Sequence, residues 1–124
     1  MQLESIHHVA INVFDYNRAK EFYVNLLGFQ VLGEYVFPGG TQRMDCQLAN
    51  VRLEIFCSRK ITQRPQKPSL GYRHLCLKPA DIYETVVELK AAGVKVEEIR
   101  PDPMTGGMMT FFEDPEGLIL ELHE

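Results

Sequence analysis

The sequence predicts an α+β protein made of two tandem β-α-β-β-β modules that together form a cupped mixed sheet. Three observations predict it. "IHHVAINVFD" (6–15) returns as "YRHLCLKPAD" (72–81), and "NVRLEIF" (50–56) returns as "GLILELH" (117–123). The copies stay in register, with 66 residues from His8 to His74 and 67 from Glu54 to Glu121. In each copy an alternating apolar stretch is followed by helical spacing and then by further short alternating stretches.

The first copy opens with a strand at about 5–13. Asp15 is placed to cap a helix, Ala19, Phe22, Tyr23 and Leu26 recur at helical spacing, and Gly28 ends it. Strands follow at about 29–35, 43–48 and 51–57, with "AN" (49–50) as the tight turn between the last two. The second copy repeats the order. A strand at about 73–78 leads to Asp81 as the second cap. Ile82, Val86, Leu89 and Ala92 mark the buried stripe, and Gly93 stops the helix. Strands at about 94–100, 109–113 and 118–123 complete it. "DPEG" (114–117) is a turn, because Pro restricts φ and Gly accepts a positive one. The domain reading is one domain over 1–124, with module 1 at about 1–57, a linker at about 58–70 and module 2 at about 71–124.

At 124 residues the chain is one domain by length and long enough to bury a core. Its net charge of −4 argues against a general nucleic-acid binder. No apolar run approaches the ~20 residues of a membrane span. The N-terminus "MQLESIHHVA" lacks a basic region and a signal-peptide core, so the expected location is the cytoplasm. Cys46, Cys57 and Cys76 form no CxxC pair and read as reduced thiols packed as small hydrophobes. The linker's Arg59, Lys60, Arg64 and Lys67 read as a solvated loop, with charge suited to drawing an anionic substrate toward the rim of the cup.

Strand parity selects the site residues. His8 shares a face with Ala10 and Asn12, opposite Val9, Ile11 and Val13. Glu54 shares one with Arg52 and Phe56, opposite Leu53 and Ile55. His74 lies with Cys76, opposite Leu75 and Leu77. Glu121 lies with Ile119, opposite Leu118, Leu120 and Leu122. His7 has the parity of the core valines, so His8 is chosen over it. A single inward His or a single strand Glu is ordinarily a satisfied structural residue. Two His/Glu pairs in register, each opposite an aliphatic face, point instead to one divalent metal bound by His8, Glu54, His74 and Glu121. Buried carboxylates without a basic partner are costly, and two Glu charges balance one M²⁺.

The chain resembles the vicinal oxygen chelate superfamily, in its glyoxalase I-like (lactoylglutathione lyase-like) branch. "HVAINVFDYNRAKEFYVNLLGF" (8–29), "LEIF" (53–56), "GYRHLCLKPADI" (71–82) and "FFEDPEGLILEL" (111–122) carry the resemblance. It implies the glyoxalase/bleomycin-resistance/dioxygenase fold, a metal at the same four residues, and a ligand Glu as catalytic base: Glu121 first, Glu54 as the symmetric candidate. The implied reaction converts a 2-oxoaldehyde–thiol hemithioacetal to a 2-hydroxyacyl thioester by proton transfer through an enediolate. Glutathione-using members carry an Arg four residues after the first ligand His and an Asn four after the first ligand Glu. Here Asn12 and Ser58 stand there, which puts glutathione itself in doubt. "MTGGMMTFF" (104–112) resembles the family's Gly-Gly substrate loop, with methionines suited to an apolar lip.

Two imidazoles and two carboxylates suit Ni²⁺ or Zn²⁺, and also Co²⁺ or Mn²⁺. Other readings of the same fold are an acyl-thioester epimerase, an Fe²⁺ dioxygenase, an epoxide-opening thiol transferase and a metal-free drug-binding protein. The expected partner is a small molecule. A homodimer is expected as well: one module makes only half a cup, the linker's reach permits two modules to pair within one chain or across two, and the resemblance implies pairing across chains, with sites shared between subunits.

Overall fold

The computed structural model describes residues 1–2, 4–65 and 70–124. The chain divides into two compact units, Met1–Gln63 and Arg64–Glu124. Lys67 of the basic linker lies outside the described residues.

In the first unit β1 (Val9–Val13) is followed by α1 (Tyr16–Lys20), which runs directly into a π-helical segment, Glu21–Leu26. Then come β2 (Gln30–Val36), β3 (Gln42–Leu48) and β4 (Val51–Cys57). The sheet order is β1-β4-β3-β2. β1 pairs with β4 in parallel, and the other two pairs are antiparallel. Adjacent strands align residues of one kind. Val9, Leu53, Cys46 and Val31 form one row, and Ile11, Ile55 and Met44 form the next. Leu53, Ile55, Met44 and Cys46 have at most 1% exposure, so this face is the core. Asn12, Arg43, Asp45, Gln47, Arg52 and Glu54 occupy the opposite face, as the alternation predicts.

The second unit repeats the plan with β5 (Leu75–Leu77), α2 (Ile82–Ala91), β6 (Arg100–Pro101), β7 (Met108–Glu113) and β8 (Ile119–His123). Its order is β5-β8-β7-β6, with β5 and β8 parallel. Leu120, Leu122 and Phe112 are at most 3% exposed on the apolar face, while Glu121 and Phe111 stand together on the other. The strand expected at 94–100 is largely absent. Val96 makes one bridge to Phe112, and only Arg100–Pro101 is strand. The strands expected at 5–13 and 73–78 are shorter, beginning at Val9 and Leu75. His8 and His74 therefore immediately precede their strands. His7 precedes its strand too and is exposed, rather than buried with the valines.

The helices differ by one residue, 13 from Asp15 to Gly28 against 12 from Asp81 to Gly93. The second helix ends in the expected glycine cap, with Gly93 N–H donating to Lys90 O at 3.0 Å and Val94 N–H to Leu89 O at 2.9 Å. In the first, Leu27 N–H reaches five residues back to Phe22 O at 2.9 Å, and Phe29 N–H reaches six back to Tyr23 O at 2.9 Å. The extra residue is absorbed by widening the last turns into a π-helix. The widened turns leave Phe22 and Tyr23 both buried, with Tyr23 edge-on to Phe29.

Each helix starts at its predicted cap. Asp15 Oδ1 accepts from Arg18 N–H at 3.0 Å. Asp81 Oδ1 accepts from Tyr83 N–H at 2.8 Å and Glu84 N–H at 3.0 Å. Replacing Asp81 with Ala is predicted to cost about 1 kcal/mol. The measurement is the urea midpoint, which should fall with an unchanged slope. An unmoved midpoint would mean that α2 does not depend on this cap.

Candidate metal centre

The parallel strand pair of each unit positions one His/Glu pair. β1 sets Ala10 beside Glu54, and His8, two residues earlier, lies on the same face. His8 Nε2 is 3.6 Å from Glu54 Oε2. In the second unit β5 sets Cys76 beside Glu121, and His74 again lies two residues earlier. His74 Nε2 is 2.6 Å from Glu121 Oε2. Glu54 and Glu121 are 8% and 7% exposed. The structure thus brings together His8 with Glu54 and His74 with Glu121. Among the described residues no group of three or more His, Cys, Asp or Glu side chains is placed so that it could hold a metal ion. An imidazole nitrogen and a carboxylate oxygen facing one another are donors that borderline divalent ions accept, so each pair has the donor chemistry of a metal ligand pair. His7 turns away from this pairing. Its Nδ1 sits 2.9 Å from His8 Nδ1, with the rings edge-on.

The surroundings of the two glutamates differ, which the repeat does not foretell. Glu54 has a basic partner, contrary to the expectation of unpaired carboxylates. Arg43 Nη2 donates to Glu54 Oε1 at 2.9 Å, and Arg43 Nε and Nη2 grip Asp45 at 2.6 and 2.8 Å. The guanidinium also lies over the Tyr35 and Phe56 rings, at 5.6 and 5.5 Å. Hydrogen bonding to Arg43 holds the Asp45 carboxyl below its ordinary range and raises the Arg43 guanidinium in turn. By strand register Met109 and Phe111 occupy the matching places in the second unit. Glu121 there meets His74 and the Cys76 thiol. Burial, then the Glu121 charge, pushes that thiol up to about 11, which disfavours the thiolate.

The segment 102–107 is tied to β8. Asp102 Oδ2 is 3.1 Å from His123 Nε2, Thr105 Oγ1 is 3.2 Å from the same nitrogen, and Asp102 N–H donates to Gly107 O at 2.8 Å. A side chain at Gly107 would place its Cβ 2.9 Å from the His123 ring, so the second glycine of this loop permits the contact. Met104, expected as an apolar lip, is 90% exposed. Sequence reasoning gave no role to His123, Asp102, Arg43 or Asp45. The one available signal was the run of charged residues Arg43, Asp45, Arg52 and Glu54 on one parity.

Arg43→Met is predicted to destabilise the protein by roughly 2–4 kcal/mol, since it strands the Asp45 and Glu54 carboxylates. The sign with pH follows from Asp45. Its folded pKa is depressed, so its stabilising contribution is complete above the unfolded carboxylate pKa and is lost as pH falls through the folded value. Urea titrations from pH 7 into the acid range should show this loss in wild type and a smaller one in Arg43→Met. Equal acid dependence in the two proteins would refute the assignment.

Residues 5–122 match the Glyoxalase/Bleomycin resistance protein/Dioxygenase superfamily. The chain is 42% identical to the protein YwkD of Bacillus subtilis, over 100% of this chain and 99% of that one. A glyoxalase family protein of Enterococcus faecalis has a crystal structure that superposes with a TM-score of 0.92 at 46% identity, each chain covered over 100%. A probable lactoylglutathione lyase of Synechocystis sp. is 28% identical over 93% of this chain and 91% of its own. With its two four-stranded mixed sheets and this match over nearly its whole length, the chain belongs to the Glyoxalase/Bleomycin resistance protein/Dioxygenase superfamily.

Proposed function

We propose that this protein is a metal-dependent isomerase of the lactoylglutathione lyase type, in which His8, Glu54, His74 and Glu121 hold one divalent ion. The observation that carries the reading is the twofold recurrence of a His Nε2 facing a nearly buried Glu carboxylate at matching registers. The likeness to a probable lactoylglutathione lyase supports the reaction class. When bound, a divalent ion supplies positive charge that polarises the substrate carbonyl oxygen.

The chain's own groups then divide the work. Glu121 takes the proton from the hemithioacetal carbon and returns it to the neighbouring carbonyl carbon, while the hydroxyl proton on the first carbon passes to the oxygen on the second, so the adduct becomes a 2-hydroxyacyl thioester with no net gain or loss of atoms. Glu121 is favoured over Glu54 because Arg43 already holds one Glu54 oxygen, whereas no guanidinium contacts Glu121 among the described residues. Ni²⁺, Zn²⁺, Co²⁺ and Mn²⁺ all accept this donor set, with Ni²⁺ or Zn²⁺ the expected occupant. The thiol need not be glutathione, since Asn12 and Ser58 replace the residues that accompany it in the resemblance.

Protein purified without chelator is expected to hold one equivalent of metal per site by elemental analysis. Ala at any of the four ligands should lower it. Chelator should abolish turnover of methylglyoxal with added thiols, and Ni²⁺ or Zn²⁺ should restore it. Glu121→Gln should keep more metal than Glu121→Ala while losing at least about 100-fold in kcat. A wild type that takes up no metal in titration, or full turnover in Glu121→Gln, overturns the corresponding part.

The second part of the reading is a homodimer that combines His8 and Glu54 of one subunit with His74 and Glu121 of the other. A closed two-fold dimer then carries two sites. Mixing inactive His8→Ala with inactive His74→Ala protein should restore partial activity, because both defects can fall in one site and leave the other whole. No recovery after verified subunit exchange, or a monomer at micromolar concentration by light scattering, would place all four ligands within one chain.

A further inference from the structure

The second unit contains a cavity of about 460 Å³ that opens beside His74. This lies within the range of small-molecule sites. Phe111 and Ile119 line it from the sheet face that carries Glu121. Phe111 is edge-on to His74, with ring centres 5.5 Å apart. A ligand lying here therefore has one end at a proposed metal ligand and its body on aromatic surface.

The charges around the cavity are uneven. Arg73, Lys95, Glu97 and Glu113 all line it. Glu97 is occupied, because its Oε2 accepts from Arg100 Nη1 at 2.8 Å. Neither Arg73 nor Lys95 forms an ion pair with a described residue, and both are exposed. Two available cations thus face one available carboxylate, Glu113. The excess is one positive charge at the rim of an apolar recess, an arrangement that favours one anionic group on an apolar body and disfavours a neutral one of equal shape.

We propose that this cavity selects the substrate by taking an organic acid, with the apolar body on Phe111 and Ile119 and the carboxylate held by Arg73 and Lys95. The inference rests on the isomerase reading only in that His74 is common to both. It assigns the reaction an adduct whose tail bears a carboxylate.

The test uses the full chain after chelator treatment, so that no metal competes for the carboxylate. Phenylacetate and phenylacetamide share a body and differ in charge. In amide-resolved NMR titrations phenylacetate should shift the signals around Phe111 and Lys95 and bind at least tenfold more tightly than phenylacetamide at low salt. Lys95→Glu and Arg73→Glu should each erase most of that preference, with Lys95→Glu retaining wild-type metal uptake. Equal affinity for the two probes, binding of neither, or a preference that survives both charge reversals would overturn the proposal. A wild type that prefers phenylacetate but takes up no metal would support the cavity and sink the isomerase reading. The opposite pair of results would sink the cavity alone.

Discussion

Each unit is closed by one parallel strand pair, β1 with β4 and β5 with β8, and the geometry of the candidate site depends on its register. In a parallel pair the side chains of neighbouring strands stand on a common face at the same level. Ala10 beside Glu54 and Cys76 beside Glu121 therefore carry the preceding histidines toward the carboxylates. A one-residue slip of either pair would turn the glutamate toward the aliphatic face, where Leu53, Ile55, Leu120 and Leu122 are at most 3% exposed. The hydrophobic core thus enforces the register, and the register seats the His/Glu pair. Parallel strands cannot be joined by a tight turn, so the helix and two further strands between them are part of the same constraint.

The two units share this frame and diverge in what surrounds it. Arg43 in the first gathers Asp45, Glu54, Tyr35 and Phe56 about one guanidinium. Such a fork leaves little freedom to the groups it binds, because bidentate geometry fixes direction as well as distance. The second unit places Met109 and Phe111 at the matching positions, and its charge sits further out, on Arg73 and Lys95 around the cavity. One glutamate is thereby held by a cation while the other adjoins aromatic surface. Duplication supplied symmetric donors, and substitution of their neighbours made the two halves chemically unequal.

The π-helical segment shows how the fold tolerates unequal lengths. Both helices start on an Asp cap and end at a glycine with positive φ, Gly28 at 81° and Gly93 at 84°. With both ends held, one additional residue has to be accommodated between them. Widening the final turns keeps backbone donors bonded, as Leu27 N–H to Phe22 O illustrates, which costs less than leaving a buried N–H unpaired.

The sequence by itself determined the order of elements, the two cap residues, the stops at Gly28 and Gly93, and which face of each strand is apolar. All of these are local: they follow from side-chain alternation, capping chemistry and glycine's conformational freedom. It also named His8, Glu54, His74 and Glu121, because a repeated register is visible without a structure. The edge at 94–100 reads as a strand because a run rich in Val and Ile resembles one whether or not a neighbour pairs with it, and the structure pairs only Val96 and Arg100–Pro101. Only the tertiary structure decided that each His meets the Glu of its own unit, that Arg43 holds Glu54 and Asp45, that His123 anchors the 102–107 segment, and that Arg73 and Lys95 rim a cavity beside His74. Those facts depend on distances between residues far apart in the chain, and strand pairing, not local propensity, sets such distances.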